Sequence, residues 1–131
     1  MPISYDIDRA LRLVITTPKG VLTDEEIFSY QQEVWSRPEN GGYDELIDMA
    51  GVTEIDFISV ERVSELANLS SSMDTPSSPS KLAIVATAEL HYGLGRMYQT
   101  HREMSRQSTK VVRLFRTREE ALKWLGVSGE L

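Results

Sequence analysis

Apolar residues recur along this chain with two alternating periods. Ile3, Tyr5 and Ile7 alternate with polar positions and Leu11, Leu13 and Ile15 repeat the pattern, which predicts a β-hairpin turning at Asp8, Arg9 and Ala10. Pro18 and Gly20 end its second strand. Thr23-Asp24-Glu25-Glu26 is a capping-box sequence whose acidic residues suit a helix dipole. Ile27, Tyr30 and Val34, with Phe28 and Trp35 beside them, then form a wide stripe at helical spacing, stopped by Pro38 and Asn40-Gly41-Gly42. A short strand over 43–49 follows, with Leu46, Ile47 and Met49 as its buried part. After a turn at Ala50-Gly51, a second helix is expected from Asp56, with Val60, Val63, Leu66 and Ala67 inward.

Residues 70–80 hold six serines and two prolines in eleven positions, a composition that reads as a flexible surface loop. The run KLAIVAT over 81–87 is continuously apolar, as suits a central strand covered on both faces. Leu90, Leu94, Met97, Tyr98, His101 and Met104 lie on one side of the next helix. Residues 110–115 form another buried strand, and Thr117-Arg118-Glu119-Glu120 caps a last helix ended by Gly126. The order β, β, α, β, α, β, α, β, α predicts an α/β fold: a mainly parallel sheet of about five strands, with the hairpin as its antiparallel edge and about four helices. All strands are expected in that one sheet, in one domain spanning 1–131.

At 131 residues the chain can bury about two-thirds of its unfolded surface, enough to fold without staples. It contains no cysteine, which excludes disulfides, thiol catalysis and thiolate metal sites. The opening MPISYDID has no basic stretch followed by an apolar run, and the apolar run 82–86 is too short for a membrane. A cytoplasmic protein without membrane insertion is expected. The net charge of −6 disfavours specific nucleic-acid binding. The signs are segregated: twelve acidic against two basic residues over 22–65, and seven basic against one acidic over 96–118. Such patches, with Arg113 and Arg116 in the basic one, suit a homodimer or a regulatory protein partner.

Candidate chemistry is sparse. His91 and His101 are ten positions apart, roughly 280° around a helix, so they cannot share a metal; no metal site and no cofactor is expected. No G-x-S-x-G serine elbow occurs. Asp48, Glu54 and Asp56 form a carboxylate group near one strand end, simple enough as caps and surface charges, and no catalytic residue is assigned. Gly93-Leu94-Gly95-Arg96 follows a buried strand, where helix-start amides and an arginine favour a small anion such as a nucleotide or lipid-like head group. His91, Gly93, Gly95 and Arg96 are therefore the candidate ligand residues. The third glycine of a dinucleotide fingerprint is replaced by Tyr98.

The segments YDELIDMAGVTEIDFISVERV, KLAIVATAELHYGLGRMYQ and KVVRLFRTREEALKWLG resemble the SpoIIAA-like family of small bacterial proteins. That family is related to STAS domains, the fold of anti-anti-sigma factors, and distantly to lipid-binding CRAL-TRIO domains. The resemblance implies a non-enzymatic regulatory module that works by protein contact. In STAS antagonists an Asp-Ser pair at a helix start carries the phosphorylated serine. Here the aspartate falls on Asp56 and the serine position on Phe57, which has no hydroxyl, while Ser59 is shifted by two. The resemblance thus implies the module without its phosphoserine switch, and the corner Asp56, Phe57, Ile58 and Ser59 becomes a candidate contact surface.

Overall fold

A computed structural model describes residues 3–56 and 59–127. Strands β1 (Ser4–Asp8) and β2 (Leu13–Thr17) form the expected antiparallel hairpin, with Ser4 opposite Thr17 and Asp8 opposite Leu13. The turn extends to Arg12, which adopts φ 53°, and Asp8 Oδ1 accepts the Leu11 amide at 2.9 Å. That side-chain bond closes a turn that no glycine marks. Leu11 leaves the strand for this loop and is 44% exposed.

The main sheet has the order β1-β2-β4-β6-β7, with β4 (Asp44–Asp48), β6 (Ser80–Val85) and β7 (Lys110–Phe115) parallel to β2. Not every strand joins it. β3 (Gly20–Thr23) and β5 (Val52–Asp56) pair in parallel as a separate two-stranded sheet. Their short, mixed sequences, GVLT and VTEID, carry no clear period, so the pattern of apolar residues does not reveal them. Asp56 accordingly ends β5 and does not cap the second helix; Ser59 does, accepting the Arg62 amide at 3.0 Å.

Helix α1 (Asp24–Trp35) has the full capping box, Thr23 Oγ1 accepting the Glu26 amide and Glu26 Oε1 accepting the Thr23 amide. Helices α2 (Val60–Ser72) and α3 (Glu89–Met104) follow, and α4 (Arg118–Leu125) is capped by Thr117 and ended by Gly126 at φ 76°. Alternation divides the sheet. Leu46, Ala83 and Val85 point to one face and pack under Ala121, Leu122 and Leu125 of α4. Glu45, Ile47, Leu82 and Ile84 point to the other face, under α1, α2 and α3.

The serine-rich stretch is not a free surface loop. Helix α2 runs on through Ser72, and the Ser70 and Ser71 side chains are buried. Beyond it Asp74 forms a buried ion pair with Arg102 at 2.6 Å, and the same oxygen accepts the Thr109 and Lys110 amides at 2.9 and 3.2 Å. A single carboxylate thereby ties α2's exit to α3 and to the start of β7.

The charges segregated along the chain meet within it, because β4 and β7 flank the same strand. Glu45 pairs with Lys110 at 3.3 Å and Asp48 with Arg118 at 3.0 Å, while Arg116 pairs with Glu89, outside the acidic segment, at 2.7 Å. Arg96, Arg106 and Arg113 form no ion pair among the described residues. Replacing Asp74→Ala leaves Arg102 buried and unpaired, and is expected to lower stability by about 3–5 kcal/mol in urea unfolding. An ordinary surface-loop aspartate would cost less than about 0.5 kcal/mol.

Candidate functional site

Between the sheet and α1, α2 and α3 lies a cavity of about 100 Å³. Its floor is Glu45, Ile47 and Met49 with Leu82 and Ile84, all on one face by strand alternation. Ile27, Tyr30 and Gln31 of α1 and Val63 and Leu66 of α2 form two walls. The third wall is His91, Leu94, Gly95 and Tyr98 of α3, spaced at the helical repeat. Leu22 and Ile55 of the small sheet complete the lining.

One end of the cavity is polar and internally satisfied. Tyr30 Oη lies 2.6 Å from both Glu45 Oε2 and Thr16 Oγ1, and Trp35 Nε1 donates to Glu45 Oε2 at 3.3 Å. Lys110 Nζ completes the carboxylate's partners while sitting 3.4 Å from the centroid of the Trp35 ring. Burial, reinforced by the Glu45 charge, holds the Tyr30 hydroxyl well above its usual pKa, so it remains protonated and a donor. Burial also lowers the pKa of Lys110, and Glu45 opposes that shift. Tyr98 is raised by burial as well, and its hydroxyl accepts from Arg102 Nη1 at 2.6 Å.

Residues of the Gly-Leu-Gly-Arg motif divide between two faces of α3. The helix starts at Glu89, so Gly93 to Arg96 lie beyond its first turn and not at the strand-to-helix turn. Their amides belong to the helical ladder and cannot cradle an anion. His91 and Gly95 are about 40° apart around the axis and face the cavity, while Gly93 and Arg96 fall on the solvent side. A Cβ at Gly95 would come within 2.5 Å of Leu114 Cδ2, so this glycine permits close helix–sheet approach; at Gly93 it would meet nothing within 4 Å.

The inward face of α3 also differs from the expected one. Leu90 and Met104 are 56% and 73% exposed, and the buried positions are His91 and Arg102. His101 is half-buried. Polar residues thus hold inward positions that apolar ones were expected to fill, because each reaches the cavity or a buried partner.

Elsewhere, Asp48 is engaged by Arg118 and by the Ala50 amide, and Asp56 is exposed at the end of β5. Arg116 donates to Thr87 O and Glu89 and covers the Tyr92 ring, and Arg113 lies over Phe115 and Trp124. Phe57 and Ile58 lie outside the described residues. Among the described residues no three His, Asp or Glu side chains gather as metal ligands, and no helix is long and apolar enough to cross a membrane. Sequence reasoning missed Tyr30, Gln31, Glu45 and Tyr98 as lining residues; Glu45 stands beside Asp44 and near Asp48, and Gln31 beside Gln32 and Glu33, so neither is marked out from its polar neighbours.

This architecture recurs in solved structures. An uncharacterized protein of the DUF3478 family with a SpoIIAA-like fold, from Shewanella loihica PV-4, matches with a TM-score of 0.61 at 17% identity, over 95% of this chain and 93% of its own. The anti-sigma factor antagonist SpoIIAA in its unphosphorylated form matches with a TM-score of 0.54 at 10% identity, over 95% and 97%. The chain has the SpoIIAA-like fold. No protein-family model matches it, and no curated protein matches its sequence. Within this SpoIIAA-like fold the Glu45 network is a structural hinge-pin of the cavity. Lys110→Met is expected to cost about 3 kcal/mol in urea unfolding by stranding Glu45, and Lys110→Met with Glu45→Leu to recover most of that loss.

Proposed function

We propose that this protein is a non-enzymatic, cytoplasmic regulatory module of STAS-like type whose input is a small apolar molecule held in the cavity. The single observation that carries the reading is the cavity itself: about 100 Å³, lined mainly by aliphatic side chains and walled by three helices. Each methylene moved from water into such a space contributes about 0.8 kcal/mol. A cavity of roughly 150 Å³ takes benzene, so this one, about two-thirds that size, suits a ligand of about four carbons.

Two walls of the cavity are helices that pack on each other, so occupancy alters a surface as well as a pocket. The solved structure of SpoIIAA is that of an anti-sigma factor antagonist, which supports an output by contact with another protein. Arg96, Arg106 and Arg113, without ion-pair partners among the described residues, supply charges for such a contact or for a second copy of the chain. Position 57 cannot be phosphorylated, and the Ser59 hydroxyl is engaged as the cap of α2. Control by a bound ligand therefore replaces control by a phosphoserine in this reading.

The test is an amide NMR titration of the whole chain with 1-butanol. Saturable shifts are expected at Ile47, Val63, Ile84 and Leu94, and Leu94→Trp, which fills the space, is expected to weaken them at least tenfold while the spectrum stays folded. Wild-type protein that shows no saturable shift at cavity residues with 1-butanol would overturn the reading.

A further inference from the structure

Strand β7 is an edge of the main sheet, and no strand among the described residues pairs with its outer side. Alternation fixes which of its backbone groups face outward. Thr109 O and Phe115 O accept the amides of Ser80 and Ala86 at 3.4 and 2.9 Å, so the odd-numbered residues bond to β6 and the even-numbered ones turn away from it. The protein closes the first half of that outer edge itself. Lys110 N donates to Asp74 Oδ2 at 3.2 Å, and Val112 O accepts Gln99 Nε2 at 2.9 Å, which leaves Val112 buried. Among the described residues nothing closes it at Leu114, whose amide and carbonyl face outward. An open groove of about 280 Å³ lies there between α3 and the strand, lined by Tyr92, Arg96, Gln99, Arg113 and Leu114.

This edge is basic on both sides. Arg96 and Arg113 are exposed and have no ion-pair partner among the described residues. Arg96 stands on α3, whereas Arg113 lies over Phe115 and Trp124 on the α4 side. Of the acids nearby, Glu89 is paired with Arg116, and Glu103 accepts from Gln99 Nε2 at 3.3 Å. A strand laid against Leu114 turns successive side chains to opposite faces, so acidic residues at adjacent positions reach both arginines. Pairing of β7 with the β7 of a second copy would bring the arginines of both copies together, and like charges across a ladder are destabilising. Addition of a copy through its own outer strand, β1, is head-to-tail and runs on into open chains.

We infer that the β7 edge takes an extended acidic segment of a partner protein, added as a further strand at Leu114 with its carboxylates on Arg96 and Arg113. Main-chain bonds to Leu114 set the register of that strand, and the two arginines set the choice of partner. Because Asp74 and Gln99 already occupy the edge before it, the added strand is confined to the end of β7 that leads into α4. This inference rests on the proposed output by protein contact. It adds the surface and the chemistry of the partner, and it does not depend on the cavity being filled.

The probe is the acetylated, amidated peptide Thr-Val-Glu-Glu-Val-Glu-Thr, titrated into the whole chain at low salt and followed by amide NMR and hydrogen exchange. Saturable shifts are expected at Arg113, Leu114 and Arg116. At saturation the Leu114 amide is expected to exchange about tenfold more slowly, while Arg113 and Phe115, already bonded to β6, change less than about twofold. Arg96→Glu with Arg113→Glu, both at exposed positions, is expected to weaken binding about tenfold while the spectrum stays folded. The same peptide with Pro at both Val positions keeps its charge but cannot form the ladder, and is expected to bind about tenfold more weakly. Equal binding of the Pro peptide, or binding without protection of Leu114, overturns strand addition and leaves the contact reading standing. Tighter binding of an oligothymidylate, or a Leu114 amide already protected in a self-associated protein, overturns the acidic partner as the occupant. Absence of any peptide binding overturns the inference, whereas the cavity reading falls only with the 1-butanol titration.

Discussion

A carboxylate buried on the middle strand of a sheet has lost water on every side, at a cost of several kcal/mol, and survives only if its partners are fixed in place. Glu45 is in that position. Its partners come from β7 through Lys110 and from α1 through Tyr30 and Trp35, with Thr16 of β2 bonded behind the tyrosine. The requirement therefore sets how deeply α1 sits on the sheet and locks three strands to one helix. Close by, Asp74 and Arg102 do the same for α2, α3 and β7. The four buried charges sum to zero, so the low-dielectric interior holds two ion pairs and no net charge.

This arrangement also explains why the apolar end of the same helix layer stays open. Helices α1 and α3 are registered on the sheet by polar contacts at one end, which are short and directional. Apolar packing has no such geometry, and Ile47, Ile84 and Leu94 fill the other end only partly. Gly95 lets α3 approach Leu114 of β7 and Ile84 of β6 closely. Cavity and ion pairs are two results of one compromise.

Much of the architecture was legible in the sequence because its strands and caps follow simple periods. The hairpin, the α1 capping box, the strand over 110–115 and the Gly126 stop all stand where alternation and capping chemistry put them. The small β3–β5 sheet was not, since strands of four and five residues with mixed polarity carry no usable period. The stretch 70–80 was misread for a different reason. Serine is small enough to be buried against another helix, and a composition rule cannot tell a packed Ser70 from a solvated one. As for the site, His91, Gly93, Gly95 and Arg96 were grouped by adjacency along the chain, whereas a helix groups residues three and four apart, and only His91 and Gly95 of the four line the cavity.

The inward face of α3 makes the physical point most sharply. At helical spacing it presents His91, Leu94 with Gly95, Tyr98 and Arg102, so three of its inward side chains are polar where a plain amphipathic helix would be aliphatic. Arg102 is paired with Asp74, and Tyr98 is paired with Arg102. Each of these polar groups thereby offsets its own desolvation and fixes the helix. His91 lines the cavity without a partner among the described residues, its ring nitrogens within reach of water. On a single helix, then, the inward polar residues divide between those paired within the protein and one whose ring water can reach, and the SpoIIAA-like fold supplies the scaffold for both kinds. Shared fold does not carry shared function; the function of this chain has to be argued from the side chains its own interior sets around the cavity.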